Sequence, residues 1–427
     1  MARCGPILLG KNKRLAGGSG ILHTGLNSGS IAAPSRAGYR HCRRLVARRM
    51  AVQINATRSG AAVKAVFRAD ASLQIGTGHI VRCLSLADEL RDKGVTSTFI
   101  CRMHPGNMIT AIRQRGFDVI ELPAQSQHLQ SRNDISPPIP AHASWLGATW
   151  AQDANETRHA IQAIKPDLCV IDHYAIDVRW EEALRPHAKR FMVIDDLADR
   201  QHECDFLLDQ NWFGSDMAHR YRGVVPDYCV TMLGPQYALL RPEYASLRAQ
   251  MLPRTGRVKR VLVFMGGSDP TNETQKVIDA LTDPALANLD VDVVLGVNHP
   301  DPESIRHQAA ARPGTFVYSG LPSLAERMVQ ADLMISAGGS TSWERMCLGL
   351  PAIVISIAAN QTVTNTAMQA AGYIDFLGES THVSVELITD AVARCLQAPA
   401  RLEQMSRICQ DLVPGTGTKQ VCELLLN

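Results

Sequence analysis

Twice in this chain a short apolar run breaks at a glycine loop and resumes as a helix, and that pattern restricts the fold more than any other feature of the sequence. In the first copy Val66 and Phe67 begin the run, Gln74-Ile75-Gly76-Thr77-Gly78 interrupts it, and Ile80, Leu84, Ala87 and Leu90 recur at helical spacing. In the second, Asp332-Leu333-Met334-Ile335-Ser336 leads into Ala337-Gly338-Gly339 and a helix start at Ser340-Thr341-Ser342-Trp343-Glu344. Strand, tight loop and helix in that order belong to the crossover units of a parallel sheet. In open parallel sheets ligands gather beyond the carboxyl ends of the strands, so each glycine loop marks a binding edge.

The rest of the chain alternates in the same way. Strands are expected at residues 96–101, 117–122, 167–171, 190–194, 204–209 and 228–233, with helices at 108–115 and 153–165. Residues 123–145, which include Pro137-Pro138, lack apolar periodicity and read as a long loop. Pro253-Arg254-Thr255-Gly256 reads as a linker. Beyond it, strands at 260–265, 292–295, 315–318, 332–336 and 352–357 alternate with helices at 302–311, 324–330 and 362–371. Helices at 385–397 and 400–412 follow, and the last is expected to cross back onto the first half. The sequence thus predicts an α/β protein of two doubly wound parallel-sheet domains, over residues 63–250 and 257–427.

Residues 1–62 differ in kind. Thirteen Lys and Arg and no acid precede Asp70, which leaves 31 basic against 41 acidic residues for the remainder. A basic leader, expected to be disordered, therefore precedes a mildly acidic body. Its composition is that of a transit peptide or a nucleic-acid-binding arm. Met50, however, directly precedes the segment that leads into the first strand, and residues 1–49 are read as an upstream extension on which the chemistry does not draw. No stretch is long and apolar enough to span a bilayer. The 11 cysteines include no CxxC pair or mixed Cys/His spacing, which points to reduced thiols, a cytoplasmic protein and no zinc site.

Residues with chemistry gather at the predicted strand ends. His79 falls in the first turn of a helix, where Gly76 and Gly78 let backbone N–H groups approach an anion and the helix dipole adds positive potential. The same potential disfavours imidazolium, which leaves a neutral ring able to accept a proton; a histidine that merely faces solvent or bonds to backbone fits the residues equally well. Asp172-His173-Tyr174 and Asp195-Asp196 end two further strands. Adjacent carboxylates in an extended chain point opposite ways, so the second pair reads as turn and cap groups rather than as metal ligands. In the second half, Gly267, Ser268 and Asn272 lie in a tight loop that opens a helix. The Ser340 and Thr341 hydroxyls suit a diphosphate and Glu344 suits ribose hydroxyls, although Ser-Thr followed by Glu also fits a capping box. Asn360 and Gln361 follow another strand.

Taken together, RADAS, IGTGH, IDHY, IDDLADR, GGSDPTN, SAGGSTSWE and ANQ resemble the family of UDP-2,4-diacetamido-2,4,6-trideoxy-beta-L-altropyranose hydrolase, which acts in pseudaminic acid biosynthesis and is related to the lipid II glycosyltransferase. The resemblance runs from about Val63 onward. It implies a GT-B fold, with His79 as general base, Tyr174 near the substrate and Asn360 in a late active-site motif. It also implies that Glu344 binds the nucleotide, that Asn272 to Gln275 form a second ligand-facing turn, and that Leu321 presents backbone to uracil.

The implied reaction is attack of water on an anomeric carbon bearing UDP, with inversion. UDP is a good leaving group, so the pair of carboxylates used by glycosidases is not required. One histidine can serve the water and helix starts can bear the departing charge. No cofactor and no metal are expected. The expected partner of a monomeric enzyme is a UDP-linked diacetamido trideoxy sugar, with neither nucleic acid nor membrane involved. A GT-B glycosyltransferase that moves the sugar to an acceptor, and a non-catalytic nucleotide-sugar-binding protein, are the competing expectations.

Overall fold

The computed structural model describes residues 62–124 and 139–427; the leader and the middle of the long loop lie outside the described residues. β1 (Lys64–Ala69), β2 (Thr96–Arg102), β3 (Asp118–Leu122), β4 (Leu168–Asp172), β5 (Arg190–Ile194), β6 (Phe206–Asp209) and β7 (Val230–Leu233) form one sheet, in the order β3-β2-β1-β4-β5-β6-β7. β8 (Arg260–Phe264), β9 (Asp290–Leu295), β10 (Thr315–Ser319), β11 (Leu333–Ala337), β12 (Ala352–Ser356) and β13 (Asp375–Glu379) form a second, in the order β10-β9-β8-β11-β12-β13. Every pairing is parallel, so helices must return the chain across both faces.

Both sheets share one topological event. Having built outward to its third strand, the chain returns to lay the fourth beside the first. Ala69 then pairs with Asp172 at the β1/β4 boundary and Ser336 with Phe264 at the β8/β11 boundary. Beyond each boundary the loops diverge to opposite sides and leave a crevice. The glycine loops after β1 and β11 open at these two places.

Each sheet is buried on both faces, as its apolar strands require. Phe67 and Phe99 stack at 4.8 Å on one side of the first sheet, beneath Ile80, Leu84 and Ala87 of the helix Gly78–Asp92. Val66, Ile100 and Trp180 fill the other side. That side also holds charge. Arg68 donates to Asp153 at 2.7 and 3.1 Å, and Arg102 and the Trp180 indole donate to the same carboxylate at 2.6 and 3.0 Å. All four residues are fully buried, so the helix Trp150–Ile161 is tied to β1 by ion pairs that water does not screen. Burial alone would raise the carboxyl pKa of Asp153, but the two guanidinium groups hold it below the ordinary carboxylate range. Its contribution to stability is therefore complete above the unfolded value near pH 4 and is lost as pH falls through the lower folded value. Asp153→Ala leaves Arg68 with only Asp70 and Arg102 with only Glu156, takes the acceptor from the Trp180 indole, and is expected to lower unfolding stability by about 3–5 kcal/mol. Denaturant unfolding at pH 7 measures this, and a loss within experimental error would sink it.

Three elements depart from the expected pattern. The helix Val178–Leu184 is short and charged, and only Trp180 and Leu184 mark its apolar face; Asp177 caps it by accepting from Arg179 N. β13 contains Gly378 and a register shift opposite Val354/Ile355, which obscures its alternation. The largest correction concerns the crossing helix. Pro399–Leu412 stays with the second sheet, where Leu402, Met405 and Cys409 are buried. The helix Gly417–Leu426 makes the crossing, placing Val421, Cys422 and Leu425 in the first core against the helix Gly78–Asp92. Thr418 Oγ1 donates to Leu240 O at 2.6 Å where the two connecting segments pass.

Candidate active site

His79 sits in the first turn of the helix Gly78–Asp92, whose N-cap Thr77 makes no side-chain capping bond. The turn leading into it is held by Ser72, whose Oγ accepts from Gln74 N and Ile75 N and whose carbonyl accepts from Gly76 N. The imidazole Nδ1 lies 2.6 Å from Asp172 Oδ1, at the end of β4. A carboxylate there can only accept a hydrogen bond, so Nδ1 carries the hydrogen and Nε2 carries the lone pair. Among the described residues nothing hydrogen-bonds Nε2.

Arg82, one helical turn after His79, completes the arrangement. Its Nε and Nη2 each donate to Asp172 at 2.6 Å, and its Nη1 donates to Asp196 at 3.0 Å. Asp196 in turn accepts from the Tyr174 hydroxyl at 2.5 Å and from Asn211 Nδ2 at 2.6 Å. Tyr174 presents its ring edge-on to His79, centroids 4.6 Å apart. Burial opposes ionisation of Asp172, but Arg82 and His79 outweigh it and hold its carboxyl well below the usual range. Burial and the Asp196 carboxylate push the Tyr174 phenol up, so it stays a neutral donor.

The neighbouring candidates for a base fail on geometry. His173 Nδ1 accepts from Ala175 N at 3.1 Å, which puts its proton on Nε2, facing Asp70 at 3.3 Å, and burial lowers its pKa. Asp70 is fully buried and is engaged by Arg68 and by Arg102 N. Asp195 and Asp196 do point opposite ways. Asp195 accepts from Leu197 N, Ala198 N and the Tyr221 hydroxyl and pairs with Arg200, while Asp196 faces Arg82. Among the described residues no group of three or more His, Cys, Asp and Glu side chains is arranged to hold a metal ion.

The two glycine loops meet. A Cβ placed on Gly78 would lie 3.3 Å from Ser340 Oγ, and one placed on Gly267 would lie 3.1 Å from Thr77 Oγ1. The Gly-Gly-Ser-Asp loop and the Ser340-Thr341 turn thus reach the helix start that carries His79. Ser340 has helical backbone and makes no side-chain capping bond, so the capping box is not formed. The other loop is capped: Asp269 accepts from Glu273 N and Thr274 N, both at 2.9 Å, and thereby occupies the helix start that Ser268 precedes. Asn272, exposed and with φ +55°, donates to Gln275.

Glu344 lies in the first turn of the helix Thr341–Cys347, which Ser340 precedes. Burial pushes its carboxyl up to about 7, against the pull of the Arg241 guanidinium and the Tyr244 hydroxyl. Arg241 also donates to Pro322 O at 3.0 Å, and Glu243 accepts from Ser323, so Glu344 and the turn containing Leu321 share one neighbourhood. Asn360 and Gln361 stand in the first turn of the helix Ala359–Ala370, one turn earlier than expected. Gln361 accepts from Ile357 N, whereas Asn360 is exposed and is not hydrogen-bonded to the His79 cluster. Residue patterning misses Arg82, Arg241 and Tyr244, and takes Asp196 for a turn or cap group where it instead accepts from Arg82 and Tyr174. Arg82 alone has a local signal, its spacing of three from His79 on one helix face.

The profile of the glycosyltransferase family 28 C-terminal domain matches residues 261–412. An uncharacterized protein of Methanocaldococcus jannaschii is 26% identical over 67% of this chain and 54% of its own length. The chain thus spans about half of that relative. UDP-2,4-diacetamido-2,4,6-trideoxy-beta-L-altropyranose hydrolase of Campylobacter jejuni is 25% identical over 73% of this chain and 98% of its own. Among solved structures, MurG of Acinetobacter baumannii superposes with a TM-score of 0.58 at 13% identity, over 85% of this chain and 99% of MurG. With two parallel-sheet α/β domains whose switch-point loops meet, the chain has the GT-B fold.

Proposed function

We propose that this protein hydrolyses a UDP-linked amino sugar, UDP-2,4-diacetamido-2,4,6-trideoxy-beta-L-altropyranose, to UDP and the free sugar, as a step of pseudaminic acid biosynthesis. The observation that carries the reading is the His79–Asp172 pair, set at one switch point against the loops of the other. The likeness to the Campylobacter hydrolase supports the choice of substrate. In this reading the water oxygen attacks the anomeric carbon while His79 Nε2 takes its proton. The bond from the anomeric carbon to the phosphate oxygen breaks, and UDP leaves with the electron pair. Asp172 stabilises the imidazolium that forms, and the proton then passes to solvent. Ser340 and Thr341 hydroxyls donate to the departing diphosphate, joined by N–H groups of the loop containing Gly76 and Gly78. Glu344 takes the ribose, and the Leu321 turn takes the base. Tyr174 and Asn360 face the sugar. The protein acts as a cytoplasmic monomer without a metal; none of the described helices is long and apolar enough to cross a membrane.

A transferase reading draws on the family 28 match, which covers most of the second sheet. UDP release from the named substrate, measured with and without sugar acceptors, separates the two. Release that is independent of acceptor, with the free sugar identified by NMR, is expected. Turnover only with an acceptor would make the protein a transferase.

The Glu344 assignment has its own test. A carboxyl poised near 7 gains charge as pH rises, and ribose hydroxyls donate best to the ionised form, so UDP affinity should strengthen between pH 6 and pH 8. Glu344→Gln should flatten that profile and cost about 1.5–3 kcal/mol of binding at pH 8. Calorimetric titrations that give the same pH dependence for both proteins would remove Glu344 from the nucleotide site.

A further inference from the structure

Above Tyr174 the fold builds a second aromatic layer that the reaction described so far does not use. Trp145 lies 5.8 Å from Tyr174, with ring planes 27° apart, and His142 packs against both, at 4.3 Å from Trp145 and 5.5 Å from Tyr174. With His79 at 4.6 Å from Tyr174, four rings form one continuous wall that ends at the proposed base. Tyr174 is buried, whereas His142 and Trp145 are only half-buried.

The wall is rigid for local reasons. Trp145 belongs to the one-turn helix Ala143–Leu146 and His142 is its N-cap residue, and the turn ends at Gly147 with φ +67°. A Cβ at Gly147 would lie 2.6 Å from His104 Cε1 and 3.1 Å from Arg102 Cδ, so the turn is seated directly on the buried ionic cluster. Leu146 anchors it from within the core. Tyr174 is fixed from below by its bond to Asp196.

The polar atoms of the wall are also unspent. Among the described residues neither the Trp145 indole N–H nor the His142 ring nitrogens have a hydrogen-bond partner. Burial, with the nearby Arg200 and His79, holds His142 below its usual range, so it stays a neutral ring with one donor and one acceptor. Aromatic faces with a few polar tips match the C–H face of a pyranose bearing acyl groups, whose carbonyls accept from an indole N–H.

We infer that Trp145 and His142 are sugar-binding residues, forming a wall against which the pyranose ring of the nucleotide sugar packs beside His79. This rests on the hydrolase reading above. The full chain is tested by calorimetric titration with UDP and with UDP-2,4-diacetamido-2,4,6-trideoxy-beta-L-altropyranose, the latter in the His79→Asn background so that it is not turned over. Trp145→Ala is expected to weaken the sugar nucleotide about tenfold, equivalent to about 1.4 kcal/mol, and to leave UDP unchanged. Trp145→Phe should recover most of the loss, and His142→Ala should reproduce the selective loss, which covers the case in which Trp145→Ala does not fold. Equal weakening of both ligands, or no weakening of either, would overturn the wall. Failure of the parent chain to bind UDP would overturn the nucleotide-sugar reading and the wall with it. UDP binding without extra affinity for the sugar would overturn the wall alone.

Discussion

His79→Asn is expected to lower kcat for the proposed hydrolysis by roughly 100- to 10,000-fold while Kd for UDP stays within about twofold. Asparagine keeps a polar group near Asp172 and can still donate to it, so the helix start and the pair with β4 survive. It offers no lone pair of comparable basicity to the attacking water. The loss should therefore appear in kcat rather than in binding, as for an interaction that strengthens only in the transition state. Stopped assays of UDP release, paired with calorimetry, separate the two quantities. Parallel losses of turnover and UDP affinity would recast His79 as a phosphate ligand. Near-normal turnover would reduce it to a structural residue.

Asp172→Asn should be almost as damaging, on the order of 1,000- to 10,000-fold in kcat, although residue 172 need not touch the substrate. The amide can present its NH2 to Nδ1, which reverses the tautomer and places the hydrogen on Nε2, where the lone pair is needed. The same substitution leaves Arg82 with Asp196 as its remaining carboxylate, so a modest loss of stability accompanies the loss of rate. Asp172→Ala, by contrast, takes away half the compensation of a buried guanidinium and is expected to cost about 3–5 kcal/mol of folding stability. Retention of turnover within tenfold in a folded Asp172→Asn protein would show that the pair does not set the tautomer.

The two sheets and their switch points are legible in the sequence because parallel strands buried on both faces leave unbroken apolar runs, and glycine loops mark where the chain leaves them. His79 and the tripeptide from Asp172 to Tyr174 stand out by position, each just past such a run. Their contact is not legible. Asp172 lies 93 residues from His79, and only the register of β1 with β4 brings them together. Local periodicity carries no information about register across a sheet. Arg82 and the role of Asp196 are hidden for the same reason: the first reads locally as an ordinary charged residue and the second as a turn or cap group. Ser340 shows the opposite limit. Its neighbourhood contains the residue types of a capping box, yet the helix starts one residue too early for it: Ser340 is the N-cap, in helical backbone and without a capping bond, so Trp343 takes the third helical position and Glu344 the fourth. The helix Gly417–Leu426 is obscured by Pro414-Gly415, which locally reads as the end of helical structure.

That returning helix also orders events during synthesis. Val421, Cys422 and Leu425 belong to the core that contains Phe67, Phe99 and Leu239. Roughly 180 residues separate Leu239 from Val421, which at about 5–20 residues per second is on the order of 10–40 s of translation. Throughout that interval the face of the helix carrying His79 is uncovered, while the second sheet is being made and packed. The first half of the protein must therefore wait, with an apolar groove open, until the second half is complete, and only then can the helix bearing the proposed base be locked in place.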